Sequence, residues 1–250
     1  MKAAHRHALV VALLWVALTI IGEILLIRYN PFPVAAAEEA EVIDHAFRVL
    51  MHMAVPVFAF VVVVLLYVAL RFRARGGVAG DGPPIYTHGA GVAAWFLATS
   101  ALTIAITVYP GITDLLELRR REAQPPEVLV RVEGMRWAWQ VTYPQYGVTT
   151  LEEMVLPVGK RVRFEVTSRD TDVVHAFWVP AFRVKIDAVP GLVTYTTAVP
   201  TKVGSFHENS AFRIQCAEMC GLRHAYMVMP VRVVPEEEFK AWLALQRQRR

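Results

Sequence analysis

The chain has 250 residues, a formal net charge of +4 and 55% apolar side chains. Its mean hydropathy of +0.38 is too high for an ordinary soluble domain. Long apolar runs hold the excess, which points to a membrane protein.

In chain order, three runs are long enough to span a bilayer, which takes about 20 predominantly apolar residues. Ala8 to Ile27 is interrupted only by Glu23. Val49 to Leu70 carries His52 and Pro56 in its opening turns, and Gly89 to Ile112 has no charged residue. Past Glu122 no such run recurs. The expected organisation is therefore a transmembrane helical region over 1–122, with spans near 8–27, 49–70 and 89–112, and an aqueous domain over 123–250.

Short-loop charges set the orientation. Lys2 and Arg6 precede the first span, and Arg71, Arg73 and Arg75 follow the second. The intervening 28–48 connection is acidic, with Glu38, Glu39, Glu41 and Asp44. Both basic flanks belong on the cytoplasmic side, which places the aqueous domain outside. Arg119, Arg120 and Arg121 run against this rule, but a large trailing domain overrides such a cluster. A cleaved leader ending at Ala35-Ala36-Ala37 is the competing reading of the first span. That apolar stretch exceeds the usual 7–15 residues of a leader core, which favours retention. His5, His7, His45 and His52 are expected at the membrane interface, and Gly76 to Pro84 reads as a flexible cytoplasmic connection.

The aqueous part reads as β structure. Val128, Val130 and Val132 alternate with polar residues, as do Val162, Phe164 and Val166. Further short runs occur at Leu192–Val199, Phe212–Cys216 and Met227–Val234, so a sandwich or barrel is expected. Trp137 and Trp139 fall on a predicted strand and should face opposite sides. After Pro235 the pattern becomes helical, with three glutamates in the first turn and Arg247, Arg249 and Arg250 at the end, an order that suits the helix dipole.

Chemistry concentrates between Cys216 and Met227, which hold the only two cysteines of the chain, with His224 between them and His175 upstream. Thiolate, imidazole and thioether donors select copper, zinc or iron over hard cations. A single blue-copper site uses one Cys, two His and a weak axial Met, which leaves one thiolate too many here. Two bridging thiolates with one imidazole per metal would hold a copper pair. A disulfide is the bland alternative in an exported domain. A closed two-Cys, two-His zinc site would leave Met227 without a purpose. Haem attachment would need Cys-x-x-Cys-His, which is absent.

The run Cys216-x-Glu218-x-Cys220-x-x-x-His224-x-x-Met227, with His175 upstream, resembles the dinuclear copper (CuA) site of cytochrome c oxidase subunit II. The likeness extends to Arg183-Val-Lys185-Ile-Asp187-Ala-Val-Pro190-Gly191 and to Arg136-Trp137-Ala-Trp139-Gln-Val-Thr-Tyr143, covering roughly residues 45 to 235. For the aqueous part it implies a Greek-key cupredoxin-like β-barrel, which with the three transmembrane helices and short C-terminal helix read above gives a membrane-anchored all-β chain. It further implies copper ligands at His175, Cys216, Cys220, His224, Met227 and the Glu218 carbonyl. The Glu218 side chain would reach a Mg or Mn ion bordering the catalytic subunit, and Trp137 would be where electrons enter.

The implied function is electron input to a respiratory terminal oxidase, from a c-type cytochrome to haem in catalytic subunit I. Its partners would be that subunit, other oxidase subunits and the lipid bilayer, with no nucleic acid. The implied location is the bacterial or archaeal cell membrane, with the copper domain extracytoplasmic. A nitric oxide reductase subunit and a membrane-anchored copper chaperone are the alternatives; the latter would need a thioredoxin-like βαβ pattern that the sequence lacks. Two departures stand out. The segment from Thr87 and His88 to Trp95 lacks the carboxylate that the family carries near a proton-channel mouth, and the first span is additional to the usual two.

Overall fold

Each apolar run is helical, and two of the helices outrun the span that predicts them. In the computed structural model α1 covers Lys2–Arg28, α2 Glu38–Arg71 and α3 Gly89–Ile106. Residues 2–73 and 87–248 are described, with side chains from His5 onward. The basic flank at Arg75, the Gly76 to Pro84 connection and the helix end at Arg249 and Arg250 lie outside the described residues. His88 starts α3 by accepting the Gly91 N–H at its Nδ1, at 2.9 Å, which satisfies one of the orphan donors of a helix start. The helix then meets Pro110, which has no N–H to give. A π-helical turn over Thr107–Ile112 accommodates it, Tyr109 leaves helical dihedrals, and α4 resumes over Thr113–Glu122.

The molecule forms two compact units, one of Met1–Pro31 with His45–Leu115, the other of Phe32–Asp44 with Leu116–Arg250. Within the first, three of the histidines expected at the membrane interface join helices. His52 Nδ1 lies 2.6 Å from a Glu23 carboxylate oxygen, and His7 Nδ1 lies 2.6 Å from the Tyr67 hydroxyl. Between these two clasps, Trp15 Nε1 donates to the Pro56 carbonyl at 2.8 Å. His45 bridges Asp114 and the Tyr109 hydroxyl, each at 2.9 Å.

The second unit is built on eleven strands: β1 Val128–Met135, β2 Ala138–Tyr143, β3 Val148–Thr150, β4 Met154–Pro157, β5 Val162–Ser168, β6 His175–Val179, β7 Val184–Ala188, β8 Thr194–Ala198, β9 Gly204–Ser205, β10 Arg213–Cys216 and β11 Val228–Val234. One sheet runs β3-β2-β1-β5-β8 and the other β4-β11-β10-β6-β7, with β9 pairing β11. Two parallel pairs, β1 with β5 and β4 with β11, require the chain to cross between sheets and return, giving the Greek-key, cupredoxin-like architecture. Alternation drives it: Val162, Phe164 and Val166 are fully buried, and Phe164 meets Phe177 of the other sheet at 5.1 Å between ring centroids. The closing helix α5, Glu236–Gln248, buries Phe239, Trp242 and Leu243.

The segment 32–44 is part of this unit. Ala36 and Ala37 are fully buried, the Ala36 N–H donates to the Ala181 carbonyl, and the Ala36 carbonyl accepts from Thr201. Arg183 forks onto Asp44 with bonds of 2.7 and 2.9 Å. The would-be leader cleavage motif is thus core structure. Arg121, which broke the charge rule, is matched by Glu117 and Glu38.

Candidate metal centre

Cys216 ends β10, and its N–H bonds the Met227 carbonyl just before β11, so the ten residues between them form a loop with a pinned mouth. His175 starts β6, the strand that pairs with β10 on its other side. This framework brings the sequence candidates together. The Sγ atoms of Cys216 and Cys220 are 3.7 Å apart, and both thiols are free. His175 Nδ1 lies 3.7 Å from Cys216 Sγ, and His224 Nδ1 lies 3.5 Å from Cys220 Sγ. The Glu218 carbonyl is 3.3 Å from Cys216 Sγ, and Met227 Sδ is 3.8 Å from Cys220 Sγ. The donor atoms of His175, Cys216 and Cys220 all lie within 4.8 Å of one another.

The cluster is enclosed on one side: His175 and Met227 are fully buried and the thiols nearly so, while His224 is half-buried. Burial, helped by the Cys216 sulfur beside it, pushes the Cys220 thiol up to about 12. Burial also lowers the His175 pKa, which keeps a lone pair on the imidazole at neutral pH. A buried thiol that resists ionising, as Cys220 does, becomes a stable thiolate only when cationic charge is brought to it. Soft donors arranged around a short sulfur–sulfur edge therefore fit a copper pair better than a hard ion.

Two glycines make room. A Cβ on Gly134 would come within 3.0 Å of the His175 ring, and Gly221 takes φ +107 directly after Cys220, facing Trp137. Trp137 is not on a strand: it occupies the turn between β1 and β2, half-buried, and its Nε1 donates to the Cys220 carbonyl at 3.1 Å. Trp139, on β2, is buried against His175 and Phe177 as a packing residue. The Glu218 side chain is exposed.

Sequence reasoning missed Asp172. Its carboxylate accepts the Arg136 N–H at 2.7 Å and the Arg136 Nε at 2.6 Å, and it lies 4.0 Å from His175 Nε2. That nitrogen is buried and has no partner within hydrogen-bond distance. The three-residue spacing to His175 is the one trace of this in the sequence.

Residues 147–234, which hold every candidate ligand but not Trp137, match the family described as cytochrome c oxidase subunit II, periplasmic domain. The cytochrome c oxidase subunit 2 of Cereibacter sphaeroides is 30% identical, over 74% of this chain and 69% of that protein. The chain belongs to the cytochrome c oxidase subunit 2 family. Another member, from Thermostichus vulcanus, is 29% identical over 86% of this chain and 78% of its own length. Among solved structures, the periplasmic domain of subunit II of cytochrome oxidase from Bradyrhizobium japonicum is similar at 33% identity, covering 50% of this chain and 97% of that one, with a TM-score of 0.46. Membership agrees with three helices long and apolar enough to cross a membrane and a separate β unit.

Proposed function

We propose that this chain is the electron-input subunit of a respiratory haem–copper oxidase, placed in the cell membrane with residues 123–250 on the extracytoplasmic side. The observation that carries this reading is the pair of buried thiols 3.7 Å apart, each with its own imidazole Nδ1. When bound, a copper pair supplies a one-electron carrier between a c-type cytochrome and haem in the catalytic subunit, where oxygen is reduced. Cys216 and Cys220 would bridge the two ions. His175 and Met227 would complete one coordination sphere, His224 and the Glu218 carbonyl the other. Ligands from two adjacent strands and one pinned loop hold this set rigid, which suits a centre that must change charge with little rearrangement.

Trp137 is proposed as the point where electrons enter, because its indole reaches the Cys220 backbone. The ligand loop exposes Met219, Leu222 and Tyr226, an apolar surface suited to brief docking. The exposed Glu218 carboxylate suits a Mg or Mn ion at the border with subunit I, since such ions prefer oxygen donors. The test is metal analysis and electron paramagnetic resonance on the purified full chain. Two coppers sharing one unpaired electron are expected; one copper with a localised four-line spectrum would overturn the dinuclear reading.

A further inference from the structure

Outside the copper site, the most structured feature that the proposed function leaves unused is a groove between α1 and α2, about 580 Å³ in volume. Leu14, Leu18 and Ile21 of α1 face Val63, Leu66 and Leu70 of α2, a pair of stripes at helical spacing. Ala17 keeps the space between them open, and Val63 is buried as its floor.

Both ends of the groove are defined. Next to Ile21 the helices converge at Gly22, where even an added Cβ would lie 2.7 Å from Val55 Cγ1. At the opposite end the lining becomes polar, with Tyr67 and Arg71. There His7 packs on Tyr67 and Phe72 while its Nδ1 meets the Tyr67 hydroxyl, so the flanking Arg6 and Arg73 come to the same end.

The depth decides what fits. From Val63 to Arg71 the helical rise amounts to about 12 Å, less than half the roughly 30 Å hydrocarbon core of a bilayer. A helix of a partner subunit would run the full span. An acyl chain needs one leaflet and carries its headgroup at the interface, where the arginines stand. We propose that this groove is a binding site for an anionic phospholipid, one acyl chain lying between the leucine stripes and the phosphate facing Arg71 and Arg73. On the topology proposed above this is the cytoplasmic leaflet, and the additional helix α1 completes the site. Basic residues beside transmembrane helices attract anionic headgroups, at about fivefold in affinity for each arginine.

The test is native mass spectrometry of the delipidated full chain, offered phosphatidylglycerol or phosphatidylcholine with identical acyl chains. One tightly held lipid per chain is expected, with phosphatidylglycerol preferred at least about fivefold. Arg71→Gln with Arg73→Gln should abolish that preference. Leu18→Trp should displace either lipid, whereas Val16→Trp, on the opposite face of α1, should not. Equal retention of both lipids by the native chain, or unchanged retention in Leu18→Trp, would overturn the proposal. None of these readouts depends on copper or on turnover, so failure here leaves the oxidase reading intact.

Discussion

Trp137 and Cys220 are 83 residues apart in sequence, yet the indole N–H of one bonds the backbone carbonyl of the other at 3.1 Å. This bond couples an aromatic ring near the surface to a residue whose sulfur is proposed as a bridge between two coppers. Trp137→Gln is expected to slow reduction by the cytochrome donor about tenfold or more while the copper absorption spectrum and copper content stay unchanged. Loss of copper in this variant would assign Trp137 a structural role instead.

The donors differ in strength. Cys216→Ser or Cys220→Ser should abolish the delocalised spectrum, because each would remove a proposed bridge. Met227→Leu removes only a thioether and fills a fully buried position with a side chain of similar volume, so copper should stay bound with a shifted potential. Metal analysis beside redox titration separates these outcomes; equal metal loss in all three variants argues against a weak Met227 ligand.

Copper uptake should release protons. The Cys220 thiol of the metal-free chain stays protonated up to about 12, and it must lose that proton to bind. The sign follows: affinity falls as pH falls, by about tenfold per unit for each proton displaced. Titration of copper into weakly buffered full-length chain at neutral pH should acidify the solution by at least one proton per chain.

Asp44→Ala should strand the Arg183 guanidinium, which is almost completely enclosed. Removing one partner of a buried pair costs about 3 kcal/mol. Thermal unfolding of the full-length chain should show that loss in the β unit, while Lys202→Gln, on an exposed residue, should leave the transition within about 0.5 kcal/mol.

Residues 123–250 carry 16 basic and 13 acidic side chains, a net charge of +3. This surface offers no overall attraction to a strongly basic cytochrome. Turnover with the native donor should therefore depend weakly on ionic strength, because screening suppresses only long-range steering, with a length of about 8 Å at 0.15 M salt. A steep fall in donor association with added salt would instead require a concentrated acidic patch.

Much of this was legible in the sequence. Period-two alternation at Val162, Phe164 and Val166 marked a strand, and the spacing from Cys216 to Met227 marked the ligand loop, because both features are local. Trp137 was misplaced by the same logic: Arg136 and Trp137 interrupt the alternation to form a turn, which aims the indole at Cys220 instead of across a sheet. The partners of His52 and His7, Glu23 and Tyr67, stayed hidden because they lie on another helix, far away in sequence. Asp172 stayed hidden because its meaning depends on where β6 begins.

The burial of Ala36 and Ala37 bears on how the protein is made. The Val199 N–H meets the Glu39 carboxylate across a separation of 160 residues, and Thr201 meets the Ala36 carbonyl nearby. During synthesis the segment before α2 emerges first and must wait for β8 before its partners exist. Two membrane helices are laid down in that interval. The β unit thus closes around a strap delivered before them, so on the proposed topology that strap would wait outside the membrane until the later strands are exported.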